Sequence, residues 1–254
     1  MRMIAIDWSG KAKGESEFIW LAEVRDGVLT SLENGRGRRD LARHIVDLAK
    51  TDPELVVGFD FAFSFPKWWC DAQDWRDVRE VWAAIARDGE RLLEGCDDPF
   101  WGRPGKRNPH ALGERFRRTE TEDNKTAKSV FQIGGAGAVG TGSIRGMPHL
   151  LALVEQGFSV WPFEPVRLPL AIEIYPRALT GPVTKGRWAE RHALLQRRFA
   201  SQPPEMLERA AGSEDAFDAA VSALVMAEYQ EQIAALTPTD DTAFAIEGKV
   251  WTPR

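Results

Sequence analysis

Acidic residues interrupt three apolar segments of this 254-residue chain, and they constrain its fold more than any other feature. Asp7 ends the segment IAID, Asp60 lies within VVGFDFAF, and Glu173 lies within AIEIYP. Each segment has the length and apolar content of a buried strand, and burying an unpaired carboxylate costs several kcal/mol. Singly, each acid is explained as a cap for a turn at a strand end. Together, the three burials point to a shared cation.

A further acidic segment opens the last long helix that the sequence predicts, SEDAFDAAVSALVMAEYQEQIAAL. Asp215 and Asp218 are three residues apart, so they project from neighbouring turns of one helix face. Ser213 is the predicted N-cap, and Glu214 and Asp215 complement the positive end of the helix. Asp218 lies deeper, where the helix dipole explains it poorly, so we expect it to join the acids of the strands.

Carboxylates that converge from several elements suit a hard divalent cation such as Mg²⁺ or Mn²⁺, which takes oxygen ligands and retains waters. Two such ions about 4 Å apart hold an attacking water and a leaving oxygen in line across a phosphodiester. We therefore expect metal-assisted hydrolysis of such bonds. The predicted metal ligands are Asp7, Asp60 and Asp218, and the predicted catalytic set is Asp7, Asp60, Glu173, Asp215 and Asp218.

The chain is acidic overall, with a net charge of -5 and a pI of about 5.5, so any contact with nucleic acid has to come from a local basic surface. The segment from Trp101 to Lys128 has no periodicity and carries more basic than acidic residues. We expect it to bind the phosphates of DNA or RNA in a salt-sensitive manner. The predicted contacts are Arg103, Arg107, Arg115, Arg117, Arg118 and Lys128.

The order of strand and helix signals predicts one α/β domain spanning residues 1–254. Met3–Asp7, Phe18–Val24 and Val28–Leu32 form the predicted meander, and RDG supplies an Asp-Gly hairpin turn. A helix follows in RDLARHIVDLAK, and then the strands LVVGFDFAF and PLAIEI. We predict a mixed sheet of about five strands flanked by helices, with a large insertion over approximately residues 66–168 before the last core strand.

The predicted insertion carries the basic segment, a helix whose tryptophans face the core, and a glycine-rich stretch, Gly134–Pro148. The stretch has no Walker lysine and matches no dinucleotide fingerprint placed after a strand. It is explained equally well as a close-packed turn and as a backbone nest for an anion.

Two cysteines without metal-binding spacing indicate neither a disulfide framework nor structural zinc. No run of about 18 apolar residues occurs, and the apolar N-terminal stretch is too short for a signal peptide. We therefore expect a cytoplasmic protein without a membrane partner. The oligomeric state stays open.

An ordered set of short motifs resembles a known family: IAIDWSG, VVGFDFAFS, FQIGGAGAVGTGS, VWPFE, IEIYPRAL and EDAFDAA. Together they look like a bacterial and archaeal domain family of unknown function whose members are predicted RNase H-like nucleases. The similarity runs from about Ile4 to Tyr229, and DAFDAA is similar to the acidic helix of Holliday-junction resolvases. The resemblance implies an RNase H-like fold, and it places Asp7, Asp60, Asp215 and Asp218 at the metal-ligand positions of the superfamily. Resolvases often have glutamate where this chain has Asp60, a shorter ligand that alters metal spacing.

Two other classes stay open. A non-catalytic binding or scaffold protein would keep the fold without turnover. An actin-like ATPase or sugar kinase also places a phosphate loop after a strand aspartate, but DWSG lacks the usual glycine two residues after the acid, and 254 residues are few for two such halves.

Overall fold

A meander and a set of parallel strands share one mixed sheet in the computed structural model, which describes residues 1–109, 114–122 and 127–254. Within these residues, the sheet has seven strands. Their bounds are β1 Arg2–Asp7, β2 Trp20–Arg25, β3 Val28–Glu33, β4 Leu55–Phe59, β5 Ser159–Val160, β6 Leu170–Ile174 and β7 Val250–Trp251.

The strand order is β3-β2-β1-β4-β6-β5, and β7 also pairs with β6. β1 and β2 are antiparallel, as are β2 and β3, whereas β4 runs parallel to both β1 and β6. The α/β class and the mixed sheet are therefore confirmed, and all five predicted strands occur. The prediction of about five strands is too low because β5 and β7 have only two residues each, too few to leave a periodic signal.

Helices cover both faces of the sheet. Within the described residues they are α1 Arg38–Thr51, α2 Lys67–Ala72, α3 Val78–Gly95, α4 Arg118–Glu122, α5 Gly140–Glu155, α6 Pro176–Thr180, α7 Trp188–Arg198, α8 Pro204–Ala211, α9 Glu214–Glu228, α10 Gln230–Ala234 and α11 Phe244–Glu247. None of these helices is long and apolar enough to cross a membrane.

Alternation along the central strands divides the core in two. Ile4 and Ile6 face a core that includes side chains of α1, α3 and α5. Met3 and Ala5 face the opposite core, which includes side chains of α7, α8 and α9. Successive residues of a strand point to opposite faces of the sheet. Residues two positions apart in a strand, which we call residues of the same parity, therefore face the same helices.

The glycine-rich stretch is partly helical, since α5 begins at Gly140 and continues through Pro148. A Cβ on Gly146 would come within 2.6 Å of the Phe61 ring, and one on Gly10 would come within 2.5 Å of Gly142 N. These contacts favour close packing as the role of the α5 glycines. The stretch is helical from Gly140 onward because tertiary packing overrides the low helix propensity of glycine.

Candidate functional site

Asp7 and Asp60 lie at the same edge and on the same face of the sheet. Ile6 of β1 is in register with Phe59 of β4. An aspartate follows each of them, since Asp7 ends β1 and Asp60 comes directly after β4. Asp7 shares the parity of Ala5, which faces the α9 core. Asp60 shares the parity of Gly58, where an added Cβ would lie 2.7 Å from Met226 Sδ in α9. Both carboxylates are therefore directed toward α9.

One hydrogen bond joins the two strand ends at these acids. The backbone N–H of Trp8, the residue after Asp7, donates to Asp60 Oδ1 at 2.6 Å. The Asp7 and Asp60 carboxyl groups lie close enough for each to affect the pKa of the other. β1 and β4 are thus joined through Asp60 as well as through the sheet.

The helix α9 brings the remaining aspartates to this edge. It packs against β1 and β2, and Ser213 Oγ caps it by accepting from Ala216 N at 3.0 Å, which confirms the predicted N-cap. Asp218 Oδ2 accepts from Lys185 Nζ at 2.6 Å, with both side chains about 15% exposed. Its other oxygen, Oδ1, is buried without a hydrogen-bond partner among the described residues.

Burial raises the pKa of all four aspartates, and for Asp7 the neighbouring acids add to the effect. Burial is the largest cause of the strongly raised pKa of Asp7, followed by the charges of Asp60, Asp218 and Asp215. Burial also raises the pKa of Asp60 strongly, although the Trp8 N–H and the Lys185 charge oppose it. The pKa values of Asp215 and Asp218 are raised too, again mainly by burial.

The donor set fits a hard divalent cation in its chemistry. All four groups are carboxylates, and Asp218 Oδ1 is a buried acceptor that lacks a donor. In their present positions, however, no three His, Cys, Asp or Glu side chains among the described residues are grouped to hold a metal ion. Two oxygens that a metal would use are engaged, since Trp8 N binds Asp60 Oδ1 and Lys185 binds Asp218 Oδ2.

Glu173 points to the opposite face of the sheet from Asp7 and Asp60, although it lines one small cavity together with Asp60. It has the parity of Ala171, which belongs to the α1, α3 and α5 core, whereas Ile172 and Ile174 face α9. Both of its carboxylate oxygens accept from the Arg117 guanidinium, and Oε2 also accepts from Phe63 N at 2.9 Å. Glu173 is thus a buried ion-pair partner in this structure, and its catalytic role stays a prediction.

Arg117 is buried in the same ion-pair network as Glu173, which contradicts its predicted role as a phosphate contact. Its side chain is 1% exposed, and besides Glu173 it contacts Glu120 Oε1 at 3.0 Å and the Glu247 carbonyl at 3.0 Å. The two carboxylates raise the pKa of Arg117 against the effect of burial. With its guanidinium enclosed by these acceptors, Arg117 does not face solvent and is removed from the predicted phosphate-binding set.

The rest of the basic segment is divided between ion pairs and exposed positions. Arg118 pairs with Glu122 and Asp241, and Arg115 Nε is buried without a hydrogen-bond partner among the residues that the structure describes. Arg103, Arg107 and Lys128 are exposed and stay predicted phosphate contacts. Lys125, which contributed to the positive excess, lies outside the described residues.

Two charged contacts, one made by Glu120 and one made by Lys185, were not identified from the sequence. Glu120 is buried beside Arg117, and burial raises its pKa to about 7 although the Arg117 charge lowers it. Lys185 occupies a glycine- and proline-containing loop, GPVTKGR, where neither periodicity nor motif marks it. Only the fold shows that this lysine meets Asp218.

No protein-family model, curated protein or solved structure matches the chain.

Proposed function

We propose that this protein is a metal-dependent nuclease of the RNase H-like class that hydrolyses phosphodiester bonds of DNA or RNA. One observation carries the proposal: Asp7 and Asp60, from two adjacent strands, lie on one face at one edge of the sheet, and the charge of Asp218, from the helix α9, acts on both. The order of elements on which the family resemblance rests supports it. An acid-bearing strand, a meander, a helix, a second acid-bearing strand and a late acidic helix follow one another in the chain.

The proposed roles follow from the geometry. Asp7, Asp60 and Asp218 would hold Mg²⁺ or Mn²⁺, and Asp215, half-buried one helical turn before Asp218, would complete or position the site. The bound cation would supply Lewis acidity and lower the pKa of a coordinated water. The chain itself keeps the carboxylates in place through the Trp8 N–H and the rigid edge formed by β1 and β4.

Nucleic acid is the proposed substrate because exposed cations lie in the insertion and beside the cluster. Lys11 follows the β1 acid by four residues, and its charge lowers the pKa of Asp215, which places it near the acidic helix. Together with Arg103, Arg107 and Lys128 it is available for phosphate contacts whose strength falls as salt rises.

A non-catalytic binding or scaffold protein is the second candidate, and one observation favours it. The negative charge of the acids is partly compensated, because Lys185 pairs with Asp218 and because the raised pKa of Asp7 favours its neutral form. A protein that has kept the fold but lost its activity would show carboxylates whose charges are compensated without a metal.

The test is cleavage of a panel of single-stranded DNA, duplex DNA, a four-way junction, RNA and RNA–DNA hybrid in Mg²⁺, Mn²⁺ or EDTA. We expect metal-dependent cleavage of at least one substrate, with Asp60→Asn and Asp218→Asn each reducing it more than 100-fold. Asp47→Asn, at an exposed ion pair with Lys50, is the matched control and should leave it unchanged. Nucleic-acid binding without cleavage in any metal would favour the scaffold.

A further inference from the structure

The backbone of Lys185 is fixed near the start of the acidic helix α9 through hydrogen bonds of Arg191. The Arg191 guanidinium donates to the Lys185 carbonyl, and its Nε and Nη2 donate to the Ala211 carbonyl at 2.9 and 2.6 Å. Arg191 is buried, 6% exposed. Ala211 lies two residues before the N-cap of α9, so Arg191 ties the Lys185 loop to the start of that helix.

The neighbouring loop residue shows the same close approach. A Cβ placed on Gly186 would lie 3.6 Å from Glu214 Oε1, in the first turn of α9. The Lys185 ammonium therefore contacts Asp218 from a loop whose backbone is fixed, unlike a surface lysine with a freely moving side chain. Its side chain is 16% exposed, which limits the screening of its charge by solvent.

The Lys185 ammonium lies where buried carboxylates need a compensating positive charge. The charges of Asp60, Asp215 and Asp218 all act on Asp7, and Lys185 acts on Asp60 as well as on Asp218. Asp218 Oδ2 meets the lysine, while Oδ1 has no hydrogen-bond partner in the part of the chain that the structure describes. A divalent cation bound to Asp218 would compete with the lysine for this carboxylate, since two cations at one carboxylate repel each other.

We infer that Lys185 is a displaceable counter-ion that occupies Asp218 when no metal is bound and leaves it when a divalent cation binds. The inference rests on the proposed function and adds regulation to the same site: the lysine sets the cation concentration at which the site fills. Metal-free protein keeps its acids compensated, and weakly held or monovalent cations do not replace the ammonium.

The test compares Lys185→Gln and Lys185→Arg with wild type by calorimetric titration of Mn²⁺ and by melting in EDTA and in Mn²⁺. We expect Lys185→Gln to bind Mn²⁺ roughly tenfold more tightly, to melt lower in EDTA, and to gain more from Mn²⁺ than wild type does. Lys185→Arg, which keeps the charge, should bind within about threefold of wild type. Lys67→Gln removes another 2.6 Å lysine–aspartate pair, on the surface of α2, and is the matched control.

A merely structural lysine gives a different result, namely lower stability in both conditions with unchanged or weaker Mn²⁺ binding by Lys185→Gln. That outcome overturns the inference while leaving the proposed function intact if wild type binds Mn²⁺ and cleaves. Absence of Mn²⁺ binding in every protein overturns both.

Wild-type protein provides a second measurement if Lys185→Gln does not fold. Lysine acetylation by an N-hydroxysuccinimide ester, followed by peptide mass spectrometry, should label Lys185 at least threefold faster in Mn²⁺ than in EDTA, with Lys50 as the internal reference. Equal labelling of Lys185 in both conditions contradicts displacement.

Discussion

The Trp8 backbone N–H donates to Asp60 Oδ1 at 2.6 Å, which joins the residue after β1 to the residue after β4. Neither residue is near the other in sequence, and the parallel register of Ile6 with Phe59 brings them together. The bond fixes Asp60 beside Asp7 at the edge that α9 reaches. The site is thus assembled by the sheet itself and does not depend on the conformation of a long loop.

Asp7→Asn should raise the stability of the metal-free protein by about 1–2 kcal/mol at pH 8 and leave it unchanged near pH 4. The pKa of Asp7 is raised by burial and by neighbouring acids. Its contribution to stability is therefore full below the unfolded pKa and is lost as pH rises through the folded pKa. Asparagine, like the protonated acid, carries no charge and still donates a hydrogen bond. Urea unfolding in EDTA measures this.

Asp47→Asn is the control for that experiment, because Asp47 is exposed in its pair with Lys50. A marked loss of stability in Asp7→Asn at pH 8 would instead identify Asp7 as a structural carboxylate held by hydrogen bonds.

Arg117→Met should destabilise the protein by about 3–5 kcal/mol, since it leaves Glu173 and Glu120 buried without their cation. Arg118→Met, one residue later, removes only solvent-screened ion pairs and should cost far less stability than Arg117→Met. Equilibrium denaturation of the two variants makes the comparison. Weakened nucleic-acid binding by Arg117→Met at unchanged stability would restore its original assignment as a phosphate contact.

Stability should fall as pH drops from 6.5 toward 4, in part because of His149. Burial lowers the pKa of His149 to about 4, and its ring packs against Trp8 with centroids 5.5 Å apart. A histidine with a lowered pKa contributes stability that is present above the unfolded pKa and is lost as pH falls through the folded pKa. The loss should be on the order of 2 kcal/mol.

His149→Phe keeps a ring beside Trp8 and should flatten this part of the pH profile. The matched change His192→Phe, at the surface pair with Glu208, should not flatten it. Parallel profiles for wild type and His149→Phe between pH 6.5 and 4 would show that His149 titrates normally.

Mn²⁺ binding should tighten as pH rises, because the raised pKa of Asp7 means that a proton has to leave before the carboxylate binds metal. We expect up to tenfold in affinity per pH unit below the folded pKa of Asp7. Calorimetry in two buffers of different ionisation enthalpy measures the released proton directly. A binding constant that is independent of pH from 5.5 to 7.5 would contradict the raised pKa of Asp7.

The strands and the aspartate edge were accessible from sequence because they depend on local patterns. Apolar runs located β1 to β4 and β6, and acids at the ends of two such runs implied the convergence of Asp7 and Asp60. The face of the sheet that Glu173 meets was not accessible, because LAIEI is buried on both faces and nothing in it tells which core Glu173 contacts.

The partners of the charged residues were not accessible. Arg117 stands among solvent-facing arginines in a segment without periodicity, and its partner Glu173 is 56 residues away. An interpretation based on composition assigns such an arginine to the protein surface, although the fold buries it. Lys185 was missed for the same reason, since its meeting with Asp218 is a long-range contact that no short motif records.

The most direct test of the aspartate site is anomalous difference density for manganese in crystals of the protein soaked at saturating Mn²⁺. We expect a peak between the carboxylates of Asp7, Asp60 and Asp218, with Lys185 Nζ displaced from the 2.6 Å contact that it now makes with Asp218 Oδ2. Crystals that show no manganese peak at these three carboxylates, with the Lys185 contact intact, would contradict the metal site and with it the proposed nuclease.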